Sequence, residues 1–130
     1  MDKPALTDAL VALLGPHQVA GDDATLAAHA SDKWNASALA DVVVFAGSTE
    51  DVSRVLAFAN AHRIPVVTRG AGVGYVGGCV PVHGGIVLSL ARMAQMRIVL
   101  VTPEPTSLTD GYAIIKVLNA RFGVRDFLVV

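Results

Sequence analysis

The sequence predicts an α/β domain, a layered sheet with helices, with α+β as the alternative. Three observations carry this. Short β-branched apolar runs alternate with helix-period stretches over much of the chain, the pattern of layers packed on one core. Of the 130 residues 53% are hydrophobic, enough to fill that core; at this length folding buries roughly two-thirds of the surface an unfolded chain exposes. No repeat or low-complexity tract interrupts the alternation.

From Pro4 to Leu14 the chain has helical period, with Leu6, Leu10, Leu13 and Leu14 on one face and Gly15-Pro16 as the stop. Asp22 or Asp23 can cap a short second helix. "SDKWNASALA" has no clear period and reads as loop. "DVVVFAG" is an apolar run of strand length ended by Gly47. In "STEDVSRVLAFANAHRIP", Ser48 can cap a helix and Asp51 completes a box of S-x-x-D type. Val52, Val55, Leu56 and Ala59 then fall at i, i+3, i+4 and i+7. "PVVT" is a strand that runs straight into a glycine-rich loop, and "GGIVLSL" and "RIVLVT" are two more strands. "TSLTDGYAIIKVLNARFG" is a helix, with Ser107 and Asp110 forming its cap, Leu108, Tyr112, Ile115 and Leu118 along one face, and Gly123 at its end. "DFLVV" is a last strand.

Composition narrows the function. A net charge of -1 carries no signal for nucleic acid or another polyanion. Cys79 is the lone cysteine, so no internal disulfide forms, which fits a reducing compartment. "MDKPALTDALVALLG" carries Asp2 and Asp8 and has no cleavage site, unlike a signal peptide. The apolar runs Val42 to Ala46 and Ile98 to Val101 fall far short of the roughly 20 residues of a spanning helix. A soluble, cytoplasmic chain without membrane contact is expected. His17, His29, His62 and His83 lack metal-ligand spacing, so no metal site is expected.

The loop "TRGAGVGYVGGCVPVHGG" contains Gly72, Gly74 and Gly77, which spell G-x-G-x-x-G. A Rossmann loop must follow a strand, open a helix whose N-terminus holds a pyrophosphate, and be followed about 20 residues on by an acidic residue. The strand is there. No helix fits between Gly74 and Ile86, and no Asp or Glu occurs between Asp51 and Glu104. A different cradle fits better. Seven of the twelve glycines lie between Gly70 and Gly85, and glycine lets successive N–H groups converge into an anion nest. The acid-free stretch also carries Arg54, Arg63, Arg69, Arg92 and Arg97. The alternative is a flexible linker, but Val73, Val76, Val80 and Val82 make it more apolar than linkers usually are.

The segment "PVVTRGAGVGYVGGCVPVHGGIVLSLARM" resembles the flavin-binding domain of FAD-linked oxidases of the vanillyl-alcohol-oxidase/PCMH type, closest to the glycolate oxidase subunit and D-lactate dehydrogenase branch. Pro65, Arg69, Gly70, Gly72, Gly74, Gly77, Gly78, Pro81, Gly84, Gly85, Arg92 and Met93 fall on the family pattern. "DVVVFAGSTEDVSRVLAFANAHRIPVV" is similar to its strand–helix–strand, and "HASDKW" to its early Tyr-Ser-x-Asp segment. The resemblance covers about residues 5 to 96. It implies a loop wrapping the FAD pyrophosphate, with Arg69, Gly70, Ala71, Gly72, Val73, Gly74, Tyr75, Val76, Gly77 and Gly78 as cofactor-binding residues. Val73 stands where the family usually has Thr, and Val76 where Ser is common, so two hydroxyl donors are replaced. Some relatives tether flavin through Cys or His; Cys79 reads instead as a packed thiol. His83 is expected at a solvent-facing turn and Trp34 as a partly buried anchor.

The end of the chain, "VLVTPEPTSLTDGYAIIKVLNARFGVRDFLVV", resembles ParA/MinD-type ATPases of the flagellar-number-regulator kind, on Val101, Thr102, Pro103, Glu104, Pro105, Thr106, Ser107, Asp110 and Tyr112, with Gly111 where Ala is usual. No Gly-Lys pair exists to form a phosphate loop, so ATP hydrolysis is not expected. The two resemblances divide the chain into a partial FAD-binding segment, 1–97, and a strand–helix–strand, 98–130. They read as a splice of two parents near residue 97, the second piece extending the sheet of the first. The family's second FAD-contacting region and substrate cap are not among these residues, nor is an acid–base pair for catalysis. Three functions follow: an FAD-binding piece of a 2-hydroxy-acid oxidoreductase without turnover of its own, a non-catalytic chimeric or designed α/β domain without cofactor, or a partner-binding piece of ATPase type. Weak retention of FAD is expected, with a homo-oligomer or the remainder of the parent domain as possible partners.

Overall fold

A computed structural model of the chain describes residues 1–33, 36–93, 98–99, 101–123, 125 and 127–129. The chain divides into two units, Met1–Met93 and Ala94–Val130.

The first unit carries a four-stranded sheet. Its elements are α1 (Lys3–Leu14), β1 (Val19–Ala20), α2 (Asp23–Ala28), β2 (Val42–Phe45), α3 (Thr49–His62), β3 (Val66–Arg69) and β4 (Ile86–Ser89). The strand order is β1-β2-β4-β3, with β2, β4 and β3 parallel and β1 antiparallel to β2. This is the expected mixed α/β architecture. The triplets Val42–Val44 and Ile86–Leu88 are apolar at every position because both sheet faces are covered. Val42, Val44, Ile86 and Leu88 pack with Leu6 and Leu10 of α1 and Val55 and Ala59 of α3. Val43 and Val87, pointing the other way, pack with Leu26 of α2 and Ala40. Burial of each such side chain contributes roughly 1.5–3 kcal/mol.

Asp22 and Ser48 cap their helices as expected, and Asp2 caps α1 as well. Asp2 Oδ1 accepts from Ala5 N at 3.0 Å, Asp22 Oδ1 from Thr25 N at 2.9 Å, and Ser48 Oγ from Asp51 N at 3.1 Å. Asp51 Oδ2 accepts from Gly47 N at 3.0 Å and from Gln18 Nε2 at 2.8 Å. Leu56 also departs from expectation: it is 46% exposed, and the inward stripe runs through Val52, Val55 and Ala59, with Phe58 beside them. α3 ends at Arg63, whose left-handed φ of 54 turns the chain toward Pro65.

The Gln18 side chain, then the Gly47 amide, hold the Asp51 carboxyl below the usual carboxylate range. A folded-state pKa below the unfolded one gives stability that is present above about pH 4 and lost as pH falls through the folded value. Asp51→Asn is therefore expected to flatten the acid limb of stability. Urea midpoints compared at neutral pH and below pH 4 measure this; equal acid loss in both proteins refutes the assignment.

The second unit contains β5 (Ile98–Val99), α4 (Pro105–Phe122) and β6 (Leu128–Val129), with β5 and β6 parallel. The strand–helix–strand is as expected, but its sheet is not shared: among the described residues β5 and β6 pair only with each other. Once α4 has returned the chain beside β5, the two strands satisfy each other's backbone groups. The helix also starts earlier than Ser107. Pro105 occupies its first turn after Glu104, which makes no side-chain cap, and Ser107 Oγ instead accepts from Thr102 N at 3.0 Å. Its inner face is turned from the expected one. Gly111 is buried and Ile115 and Leu118 are half-buried, whereas Leu108 and Tyr112 are 52% and 65% exposed. A Cβ at Gly111 would lie 2.6 Å from Cγ1 of Val101, in the segment that follows β5, so glycine lets the helix backbone approach that segment.

Candidate functional site

The register Phe45↔Ser89 and Arg69↔Ser89 brings the carboxyl ends of β2, β3 and β4 level. In open α/β sheets that edge is where ligands bind. The glycine loop leaves from it after Arg69 and returns to the amino edge at Gly85. Neighbouring parallel strands need a crossover of a dozen or more residues, usually a helix. Here residues 70–85 make the crossing as bends and turns, and no helix opens between Gly74 and Gly78. The Rossmann geometry is therefore ruled out by the structure, as by the sequence.

The loop leaves a run of backbone donors without protein acceptors. Among the described residues, the amides of Ala71, Gly72, Val73, Gly74, Tyr75 and Val76 donate to no protein group. A Cβ at Gly70 or Gly74 would meet nothing within 4 Å, so the backbone there is approachable. Gly72 and Gly77 have φ of 71 and 73, which glycine tolerates best. The Gly77 N–H is engaged within the chain, donating to Asp32 Oδ2 at 2.7 Å.

Three expectations change. Arg69, expected among the cofactor-binding residues, is only 8% exposed. Its Nη1 donates to Ser31 O at 2.9 Å and His29 O at 3.4 Å and lies 3.5 Å from Cys79 Sγ, with the guanidinium under Gly72 where any Cβ would collide with it. A strand-end side chain pointing inward must find acceptors, and the carbonyls after α2 provide them. Second, Arg54 and Arg92, two of the five arginines of the acid-free stretch, are engaged elsewhere. Arg54 pairs with Glu50 at 3.2 Å, and Arg92 donates to His17 O at 2.9 Å while stacking over Phe45 at 4.6 Å. Third, the loop is acid-free in sequence but not in space, because Asp32 reaches it. The Asp32 contact was missed; its signal was the "HASDKW" segment, which the family pattern marks without a role.

Gly70, Ala71, Val73, Gly74, Tyr75, Val76 and Gly78 are exposed, with Val76 at 92%. His83 is exposed on a turn, as expected, and Cys79 is half-buried. Trp34 and Arg97 lie outside the described residues. Among those described, no group of three His, Cys, Asp or Glu could hold a metal, and no helix is long and apolar enough to cross a membrane.

A family model described as an FAD binding domain matches residues 40–115, which include β2 to β4 and the whole glycine loop. The chain belongs to this FAD-binding family. The match continues across β5 and into α4, the segment whose motif resembles the ATPases; that second resemblance stands on the motif alone. D-lactate dehydrogenase of Archaeoglobus fulgidus is 47% identical over 57 residues, 44% of this chain and 13% of the relative. Glycolate oxidase subunit GlcD of Bacillus subtilis is 39% identical over 56 residues, 43% of this chain and 12% of the relative. The substrate-bound structure of p-cresol methylhydroxylase aligns with a TM-score of 0.60 and 28% identity, covering 72% of this chain and 19% of that one. The matches thus span about one eighth of the length of these curated relatives. FAD is the cofactor of the family.

Proposed function

We propose that the loop from Arg69 to Gly78 binds the FAD pyrophosphate in a flavin-linked oxidoreductase of small 2-hydroxy acids. The observation that carries this is the run of uncommitted amides from Ala71 to Val76 at the carboxyl edge of the sheet. Gly70 and Gly74 keep the approach open, Gly72 and Gly77 supply the left-handed turns, and Gly78 closes the loop. Arg69 supports it from beneath rather than touching the ligand. Bound FAD would supply the redox chemistry, and these residues bind and orient it. The 2-hydroxy-acid class is supported by the relatives named for D-lactate and glycolate. The chain supplies the cofactor loop and no acid–base pair, so turnover from these 130 residues alone is not expected.

Binding should be weak, micromolar or poorer, because backbone donors act without the hydroxyls that Thr and Ser would add. Val73 and Val76 are 56% and 92% exposed, so polar replacements cost the fold little. Each restored hydrogen bond to a charged oxygen contributes roughly 1.5–3 kcal/mol. Val73→Thr combined with Val76→Ser is expected to tighten FAD by at least about tenfold. Titration followed by flavin fluorescence tests both statements. Absence of binding at millimolar FAD removes the assignment; unchanged affinity in the double variant removes the role of the hydroxyls.

A further inference from the structure

We propose that Asp32 and Arg69 are positioning residues that staple the strap after α2 to the glycine loop and set the shape of its free amides. The inference rests on the reading of that loop as a pyrophosphate site. The strap, residues 29–33, holds the loop at three points. At its start, Arg69 Nη1 donates to Ser31 O and His29 O. In its middle, Gly74 O accepts from Lys33 N at 3.1 Å. At its end, Gly77 N donates to Asp32 Oδ2 at 2.7 Å. The amides from Ala71 to Val76 lie between these anchors and have no protein partner among the described residues.

A chain with glycine at 70, 72, 74, 77 and 78 has many conformations to lose. If ligand alone ordered it, that entropy would be subtracted from affinity; an already stapled loop avoids the loss. Arg69 adds a second contribution. Its guanidinium is buried against neutral carbonyls and a thiol, and no carboxylate forms an ion pair with it among the described residues. A fixed positive charge therefore lies directly under Gly72, where its field favours an anion above.

The test compares wild type, Asp32→Ala and Asp32→Asn in the full chain. Three quantities are read: FAD affinity by flavin fluorescence, amide exchange at Gly72 to Gly77, and the urea midpoint. Asp32→Ala is expected to speed exchange at Gly77 and weaken FAD about tenfold or more, with a midpoint near that of wild type. Asp32→Asn keeps an acceptor oxygen and should recover most of both. Wild-type affinity and exchange in Asp32→Ala would overturn the proposal, as would a loss of affinity matched by global unfolding. If even wild type binds no FAD, the pyrophosphate reading fails, and exchange alone decides the staple: faster at Gly77 in Asp32→Ala supports it, equal rates refute it.

Discussion

Gly74→Asp abolishes measurable FAD binding while the fold survives. The substitution is sterically free: Gly74 does not need a left-handed φ, and a Cβ there meets nothing within 4 Å. Its carbonyl bond from Lys33 N involves backbone only and persists. The new side chain also restricts the unfolded chain, so stability should hold or rise slightly. The effect on ligand is opposite and large. A carboxylate set among the amides of Ala71 to Val76 both occupies donors and repels a diphosphate, and like charges brought together cost several kcal/mol. A loss of at least about a hundredfold is expected. Gly74→Ala separates charge from shape and should lose far less. Fluorescence titration beside urea unfolding measures the pair. If the Asp variant binds FAD within a few-fold of wild type, the pyrophosphate does not sit in this loop.

Gly85→Ala is expected to be the most destabilising single methyl in the chain. Gly85 has φ of 73 and precedes the central strand β4. Its N–H donates to Asp41 Oδ2 at 2.7 Å and its carbonyl accepts from Asp41 N at 2.8 Å. An added Cβ would run into the Pro65 carbonyl oxygen, the same atom that accepts from Ile86 N at 2.8 Å. Backbone is not free to yield there, since shifting Pro65 separates β3 from β4. Left-handed strain of about 1–3 kcal/mol and overpacking of about 1–3 kcal/mol combine to about 2–6 kcal/mol. That is a large share of the roughly 5–15 kcal/mol holding a domain together. Gly84→Ala is the comparator: its φ of 67 carries similar strain, but its nearest neighbour is the flexible Asp41 carboxylate at 3.1 Å. Denaturant midpoints should place Gly85→Ala well below Gly84→Ala; equal losses would mean that the Pro65 contact is not what constrains the site.

What could be read from sequence was what is local. Ser48 and Asp22 cap helices because a short oxygen three residues ahead of an orphan N–H finds it within one turn. The triplet Val42–Val44 announced a strand because every position had to be apolar. The helix-free loop followed from the same local pattern. What could not be read was partnership across distance. Arg69 and Asp32 meet their partners 38 and 45 residues away, and nothing near either residue fixes that meeting. β1 has two residues, too few for a period to show. Leu56 and Tyr112 fit a helical stripe in projection but lie outside the sector that meets the core. The inward turn of Arg69 was not legible either.

The middle strand of the sheet is the last of its four to be made. During synthesis β2 and β3 emerge with α3 between them, yet neither pairs with the other in the finished order β1-β2-β4-β3. Their facing edges stay open until residue 89 has left the ribosome, when β4 inserts and closes both at once. A nascent chain arrested before that point presents two apolar strands with unsatisfied backbone, the kind of surface that chaperones hold and that aggregates recruit. Closure of this four-stranded sheet is thus a single late event at β4. The glycine crossover, as the segment that delivers β4 to its slot, sets when the two strand edges stop being exposed.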